Sequence, residues 1–134
     1  MQDLIPRARE YLIALTQDVD RQTLAAFFTP EVEQLEFPNA LNPQGARRDL
    51  NALLEGFERG RTVMSSQSYA VHNVIQQDQT VVLEVEWRGT LSVPLGALAP
   101  GDELRAFFAV ILEFEGERIS KQRNYDCFLP WESV

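Results

Sequence analysis

Apolar residues recur at helical spacing in the first thirty positions of the chain. Residues 3 to about 15 carry them every three or four positions, with Asp3 able to cap the helix and Pro6 in the tolerated first turn, which predicts a first helix. Asp20 can cap a second, short helix, and Pro30 ends it because the residue before a proline avoids the α region. The shared apolar face of this second helix consists of Leu24, Phe27 and Phe28.

The next segment changes from a strand pattern back to a helical one. Residues 32–37 alternate in polarity and predict a short strand, positions 39–45 predict a loop, and 46 to about 60 predict a third helix. The apolar stripe of this helix is Leu50, Leu53, Leu54 and Phe57, and its charged residues elsewhere are Arg47, Arg48, Glu55 and Arg59. On the strand, Glu36 and Phe37 point to opposite faces. The apolar neighbours of Phe37 favour it as the inward residue, which leaves Glu36 at the rim or surface.

From Ser66 onward the apolar period becomes two. Strands are predicted at about 67–77, 80–93, 103–115 and 117–128, joined by short turns. Helices followed by hairpin-linked strands predict one α+β domain over residues 1–134, with an antiparallel sheet and the helices on one of its faces. The core side of the strand at 80–93 is marked by its apolar alternating set, Val81, Leu83, Val85, Trp87, Gly89 and Leu91.

The strand at 103–115 is apolar on both faces, unlike its neighbour. Its two alternating sets are Phe107, Ala109 and Ile111 on one face, and Phe108, Val110, Leu112 and Phe114 on the other. A central strand of this kind needs cover on both sides of the sheet. We therefore expect helices on one side and a second copy of the chain on the other, which makes a homodimer through the outer sheet face.

Composition and charge argue against several classes of binding partner and site. The net charge of −8 and the pI near 4.6 argue against nucleic acid, whose binding requires clustered Lys and Arg. Cys127 is the only cysteine, so no intrachain disulfide can form, and no Cys/His cluster is available for a zinc site. The sequence shows no signal peptide and no span for a membrane, so we expect a cytoplasmic protein. Hydrolase, P-loop and dinucleotide-binding motifs are absent, and His72 has no nucleophile motif beside it.

The strand at 117–128 carries the candidate functional residues. If the face with Asn124 and Asp126 looks toward the helices, both side chains lie in an apolar cavity, the usual setting of a small-molecule site. The expected walls of this cavity are Phe27, Leu53, Phe57, Trp87 and Leu91. Desolvation should raise the pKa of Asp126 toward the range useful for moving a proton next to a carbonyl, so Asp126 is the candidate catalytic acid or base.

Each of these residues also has a structural interpretation. Asp126 could accept hydrogen bonds from the backbone or from Arg123, Tyr11 or Trp87 and merely organise the core. Tyr11 could point its hydroxyl into the cavity as a donor to a ligand, or be an ordinary core aromatic. Two classes of function stay open: an enzyme that uses Asp126, and a non-catalytic dimeric ligand-binding or interaction module.

The order of elements and several short motifs resemble the cone-shaped nuclear transport factor 2-like superfamily, and within it the SnoaL-like polyketide cyclases. The motifs are Glu36-Phe37-Pro38-Asn39 with Asn42-Pro43-x-Gly45, then Glu86-Trp87-x-Gly89-Thr90, and Gly116-Glu-Arg-Ile119 leading to Arg123-Asn-Tyr-Asp126. The resemblance covers nearly the whole chain. It implies a curved antiparallel sheet with the three helices packed on its concave face.

The resemblance also implies a chemistry. In SnoaL-like cyclases an aspartate on the last strand is the acid and base of an aldol ring closure that needs no cofactor, and Asp126 matches its place. The family's Gly-Thr-His pattern is Gly89-Thr90-Leu91 here, and the related ketosteroid isomerases have their base where this chain has Phe37. The implied ligand is a small apolar or aromatic carbonyl compound, oriented by Asn124, Tyr11 and Trp87.

Overall fold

Three helices occupy the N-terminal half of the computed structural model, which describes residues 2–131. They are α1 (Ile5–Leu15), α2 (Arg21–Ala25) and α3 (Leu50–Val63). Asp20 caps α2 by accepting a hydrogen bond from the backbone N–H of Thr23 at 2.8 Å, and Asp49 caps α3 by accepting one from Ala52 at 2.9 Å. These caps fix where α2 and α3 begin.

Within the described residues, no helix is both long enough and apolar enough to cross a membrane. The cytoplasmic location stays a prediction. The predicted single domain spans residues 1–134, and its ends, Met1 and residues 132–134, lie outside the described part of the chain. That span also stays a prediction.

The remaining elements form one sheet of six strands in the order β2-β1-β6-β5-β4-β3. Their bounds are β1 (Phe28–Glu36), β2 (Ala46–Arg48), β3 (Met64–Gln77), β4 (Thr80–Leu91), β5 (Glu103–Glu115) and β6 (Arg118–Phe128). Neighbouring strands run antiparallel, except that β1 and β6 pair in parallel. The curved, unclosed sheet and the three helices confirm the predicted α+β fold.

The core lies between the helices and the concave face of the sheet. The face of β4 that was predicted to be inward is buried, with Val81 and Leu83 fully inaccessible to solvent. Tyr11 of α1 packs in the same core with its ring 5.4 Å from that of Phe28, centroid to centroid. Strand alternation therefore identified the inner face of β4 correctly.

The second helix ends earlier than predicted. It stops at Ala25, and Phe28 begins β1 instead of continuing the helix. Pro30 ends no helix but lies within β1, where the pairing with β6 is interrupted between Phe28 and Glu33. A proline is tolerated there because an irregular stretch of strand does not need its missing N–H. Phe28 is nevertheless 1% exposed, so the apolar pattern found a core residue and mistook its conformation.

The third helix begins later than predicted. Residues 46–48 form β2, antiparallel to β1, and α3 starts only after the Asp49 cap. Gly45 explains the difference, because its φ is +69° and a Cβ placed on it would lie 2.5 Å from the carbonyl oxygen of Glu36. Only glycine lets the chain turn this close to β1 and run back along it.

Candidate functional site

A cavity of about 560 Å³ lies between the helices and the concave face of the sheet. Small-molecule sites typically occupy about 300–1,000 Å³. The predicted site residues that line the cavity are Tyr11, Leu53, Phe57, Trp87, Asn124 and Asp126. Leu41 and Val63 also line it and are 39% and 38% exposed, so they mark its mouth.

The prediction that Phe27 and Leu91 wall the cavity is wrong. Neither lines it, and both are buried in the core. Phe27 packs against Tyr11 with 5.7 Å between ring centroids. Leu91 is the last residue of β4 and pairs with Met64 at the end of the sheet. Alternation showed which face Leu91 occupies, but it could not show how far along the strand the cavity extends.

Asp126 lies on β6 with its side chain on the cavity side, on the same face as Asn124, as alternation predicted. The structure thereby meets the condition on which the candidate site depended. Its one side-chain hydrogen bond within the described residues is long, from Nδ2 of Asn124 to Oδ1 at 3.5 Å. The pKa of Asp126 is raised to about 6, chiefly by burial and then by the negative charge of Glu36. The hydrogen bond from Asn124 and the positive charge of Arg48 oppose this rise. Asp126 is thus a desolvated carboxyl that the described residues stabilise with only one long hydrogen bond.

The structural interpretation of Asp126 required partners that are engaged elsewhere. Arg123 forms an ion pair with Glu113. The indole Nε1 of Trp87 donates a hydrogen bond to Oε1 of Gln67 at 3.0 Å. Neither side chain therefore holds the carboxyl in a structural network.

A directional chain of hydrogen bonds runs from Tyr11 along β6 to Asp126. The Tyr11 hydroxyl donates to Oε1 of Gln122 at 2.9 Å, and Nε2 of Gln122 donates to Oδ1 of Asn124 at 2.8 Å. Asn124 consequently turns its amide nitrogen toward Asp126. Tyr11 is 1% exposed, and burial raises the pKa of its hydroxyl, so this group stays a neutral donor. Sequence reasoning did not identify Gln122, which lies on the same face of β6 as Asn124 and Asp126, as the link between Tyr11 and Asn124.

The prediction that Phe37 faces inward and Glu36 lies at the rim or surface is wrong. Glu36 lines the cavity, and its side chain is 19% exposed. Phe37 packs on the opposite side, where its ring stacks on that of Tyr125 with 4.5 Å between centroids. This aromatic partner lies on the neighbouring strand β6 and is remote in sequence, so the local neighbours of Phe37 could not indicate it.

Arg48 neutralises the inward carboxylate of Glu36. Its Nη1 donates to Oε1 of Glu36 at 3.0 Å and to Oε1 of Gln34 at 3.1 Å. Nδ2 of Asn39 donates to the other carboxylate oxygen, Oε2, at 2.8 Å. Both oxygens of Glu36 are therefore bonded, which offsets the cost of placing a charge in the cavity.

The short strand β2 brings Arg48 to this position. Its register with β1 pairs Arg48 with Gln34 and Ala46 with Glu36. Residues paired across two strands point to the same face of the sheet. Arg48 therefore turns inward with Gln34 and Glu36, and this depends on the turn at Gly45. The sequence signal for Arg48 was the Asn-Pro-x-Gly motif before it, which is informative only once β2 is recognised.

Trp87 forms the apolar end of the cavity. Its ring stacks on Phe108 with 5.6 Å between centroids, and Phe128 packs edge-on against it at 5.8 Å. A Cβ on Gly89 would lie 2.5 Å from Cζ2 of the indole and 3.0 Å from the sulfur of Met64. Glycine at this position therefore lets the indole lie across the strand, which gives the Trp87-x-Gly89 motif a physical reason.

Residues 2–131 contain no group of three His, Cys, Asp or Glu side chains that could hold a metal ion. His72 lies outside the cavity, with its side chain 56% exposed and its Nε2 3.3 Å from Oε1 of Glu86. Its surface position is in line with the lack of a nucleophile motif beside it in the sequence. The polar groups that line the cavity are carboxyl, amide, guanidinium and phenol groups.

Comparison with known proteins identifies one family. The family described as the SnoaL-like domain matches residues 8–122. The match ends before Asn124 and Asp126, so the role of those two residues rests on the geometry of the cavity. No curated protein is significantly similar to the chain.

Several solved structures share the fold over nearly the full chain. IdmH, a proposed polyketide cyclase from Streptomyces antibioticus, is 18% identical and has a TM-score of 0.77 over 93% of this chain and 92% of its own. A hypothetical protein with a ketosteroid isomerase-like fold from Catenulispora acidiphila is 14% identical, with a TM-score of 0.74 over 92% and 86%. AusH from Aspergillus nidulans is 15% identical, with a TM-score of 0.73 over 92% and 82%. At such low identity these likenesses show the fold alone.

Proposed function

The chain belongs to the SnoaL-like domain family, and from this premise we propose that it is a cyclase or isomerase that works without a cofactor on a hydrophobic carbonyl compound. The observation that carries the proposal is Asp126. Its carboxyl lies in the cavity with a pKa of about 6 and accepts, from residues 2–131, a single side-chain hydrogen bond, of 3.5 Å. A carboxyl of this kind can exchange a proton near neutral pH, because a catalytic acid or base works best with a pKa close to the working pH.

In the proposed reaction Asp126 first acts as a base. Its carboxylate takes a proton from the carbon next to a carbonyl, which leaves a neutral carboxylic acid and an enolate. In an isomerisation the same proton returns to another carbon of the conjugated system. In a cyclisation the enolate carbon forms a bond to a second carbonyl carbon, and the resulting alkoxide takes the proton from Asp126. In both cases the carboxylate is regenerated.

The neighbouring groups have supporting roles in this scheme. Asn124 donates to the carboxyl and fixes its direction, and Trp87 offers a flat apolar surface to an aromatic substrate. The Tyr11 hydroxyl already donates its hydrogen bond to Oε1 of Gln122. We therefore propose that Tyr11 positions Asn124 through Gln122 rather than donating to the substrate directly.

The test is turnover by an Asp126→Asn variant. A thermal-shift screen of aromatic polyketides, steroids and small fatty acids identifies a ligand, because a compound that binds the native state raises its stability. With a substrate from that screen, Asp126→Asn should lose at least about a hundredfold in turnover, the lower range for general acid–base catalysis. Asp78→Asn is the matched control, because Asp78 is exposed in the turn between β3 and β4 and lies outside the cavity.

Full turnover by Asp126→Asn would overturn the mechanism. A protein that binds ligands from the screen but turns over none of them would instead be a ligand-binding module of this fold. That outcome corresponds to the second class of function that the sequence left open.

We also propose that two copies of the chain pair through the outer face of the sheet. Phe107 on β5 and Tyr125 on β6 are 43% and 44% exposed. Phe37 stacks on Tyr125, and Ala109 pairs with Tyr125 across the strands, so the exposed apolar surface is continuous. A surface of this kind is typical of a protein interface.

Sedimentation analysis tests this pairing. The unmodified chain should sediment as a dimer and Phe107→Glu as a monomer, because the substitution places a charge in the apolar patch. Ile13→Glu is the control, since Ile13 on α1 is 55% exposed and lies away from the sheet's outer face. A monomeric unmodified chain would contradict the proposal.

A further inference from the structure

Two arginine side chains approach the same glycine of the cavity wall. Arg48 and Arg59 both line the cavity. A Cβ placed on Gly56 of α3 would lie 3.7 Å from Nε of Arg48 and 3.7 Å from Nη2 of Arg59. Gly56 also lines the cavity. Both arginines therefore flank a stretch of α3 that has no side chain to cover it.

The two arginines differ in how their charge is balanced. Arg48 forms its ion pair with Glu36 at 3.0 Å and is largely enclosed. Arg59 is exposed, and its side chain forms no ion pair or hydrogen bond with any other residue between 2 and 131. The cavity therefore has a positive charge on its wall for which the described residues supply no counter-charge.

Arg59 lies close to the mouth of the cavity. It is one helical turn before Val63, and residues four apart on a helix lie on the same face. An anionic group bound there keeps part of its hydration, so it avoids most of the cost of burying a charge. A guanidinium also matches the two oxygens of a carboxylate, which it can bind through two parallel hydrogen bonds.

We infer that the cavity takes a ligand with an apolar body and a free carboxylate, and that the carboxylate binds Arg59 at the mouth beside Arg48. The apolar body then extends over Phe57 toward Trp87 and Asp126. This inference names the substrate class of the proposed function and uses the same cavity. It predicts a free organic acid as the ligand, rather than its neutral ester or amide.

Binding calorimetry with a matched pair of probes tests the inference. The probes are 2-naphthoate and 2-naphthamide, which have the same aromatic body and differ in charge. The chain should bind the carboxylate about tenfold more tightly than the amide, in the range of one charge-assisted contact. Arg59→Gln should remove most of this preference, whereas Arg59→Lys should retain part of it. The preference should also decrease as salt is added.

Arg118→Gln is the matched control, because it removes the same charge from an exposed residue of β6 that does not line the cavity. It should leave the preference unchanged. The inference is overturned if 2-naphthoate does not bind, if the amide binds as tightly as the acid, or if Arg118→Gln lowers the preference as much as Arg59→Gln. Asp126→Asn should keep the preference for the acid, so a failure of the proposed chemistry and a failure of this inference are distinguishable.

Discussion

Glu36 and Asp126 face the same cavity from adjacent strands, and they differ in what holds their oxygen atoms. Both oxygens of Glu36 accept short hydrogen bonds, from Arg48 at 3.0 Å and from Asn39 at 2.8 Å. Asp126 accepts one side-chain hydrogen bond among the described residues, at 3.5 Å. Glu36 is thus a bound counter-ion, whereas the carboxyl of Asp126 is left free for the proton transfer that we propose.

In the proposed mechanism, this difference gives the two carboxyl groups of one cavity separate roles. The fixed negative charge of Glu36 contributes to the raised pKa of Asp126. A carboxyl whose pKa is raised by burial and by a neighbouring charge is typical of acid–base sites. Arg48 forms the ion pair with Glu36. The pairing of β2 with β1 and the turn at Gly45 hold Arg48 in place for this ion pair. A remote backbone feature therefore contributes to the electrostatic environment of Asp126.

Gly45→Ala should have the largest effect on this arrangement. The added Cβ would meet the Glu36 carbonyl oxygen at 2.5 Å, and the φ of +69° is unfavourable for alanine. We expect a loss of about 3 kcal/mol in the free energy of unfolding, measured by urea denaturation. β2 should detach and release Arg48, which leaves Glu36 and Asp126 as two carboxyls without a cation.

Gly116→Ala separates the two causes of that loss. Gly116 has a similar φ of +59°, but a Cβ placed there meets nothing within 4 Å. It should lose only about 1 kcal/mol, the cost of the left-handed backbone alone. Equal losses at the two glycines would contradict the close contact between Gly45 and Glu36.

Neutralising the two carboxyls should change stability in opposite directions. Glu36→Gln leaves the charge of Arg48 without its partner, so we expect a loss of about 2 kcal/mol at neutral pH. Asp126→Asn removes a desolvated charge whose pKa is raised from 3.8 to about 6 in the folded state. We expect it to gain about 2 kcal/mol at neutral pH, within the limit set by the shift in pKa. The same sign in both variants would contradict the comparison.

The gain in Asp126→Asn should depend on pH in a defined way. The folded state holds the Asp126 proton more tightly than the unfolded state does, because the folded pKa is the higher one. The ionised carboxyl therefore opposes folding, and its contribution to stability falls as the pH rises from about 4 through about 6. The variant and the unmodified chain should be equally stable near pH 4 and diverge above it. Denaturant titrations at several pH values measure this divergence.

Tyr11→Phe should have a smaller effect. It removes the donor to Oε1 of Gln122, whose side chain is buried, and an unsatisfied buried acceptor costs about 1–2 kcal/mol. Asn124 should also lose its fixed orientation, so turnover should fall by less than in Asp126→Asn. Tyr125→Phe on the outer face is the control for the loss of a hydroxyl. An unchanged free energy of unfolding in Tyr11→Phe would show that this chain of hydrogen bonds does not stabilise the fold.

The sequence was sufficient for the fold and for grouping Asn124 with Asp126 on one face of β6, because alternation is regular from Lys121 to Phe128. It left open whether that face looks toward the helices. It was insufficient for Glu36 and Arg48. The inward position of Glu36 depends on the stacking of Phe37 on Tyr125 and on the ion pair with Arg48. Both contacts join residues that are separated along the chain. They depend on the pairing of β1 with β2 and with β6, which local sequence patterns do not determine.

The pKa of Asp126, measured by titrating its carboxyl carbon signal in NMR spectra, tests the central claim most directly because it requires no substrate. The unmodified chain should titrate at Asp126 near pH 6. In Glu36→Gln the midpoint should move to lower pH, because the neighbouring negative charge is removed. A midpoint at or below the ordinary value of 3.8 in the unmodified chain would contradict the assignment of Asp126 as the proton-transfer group of this cavity.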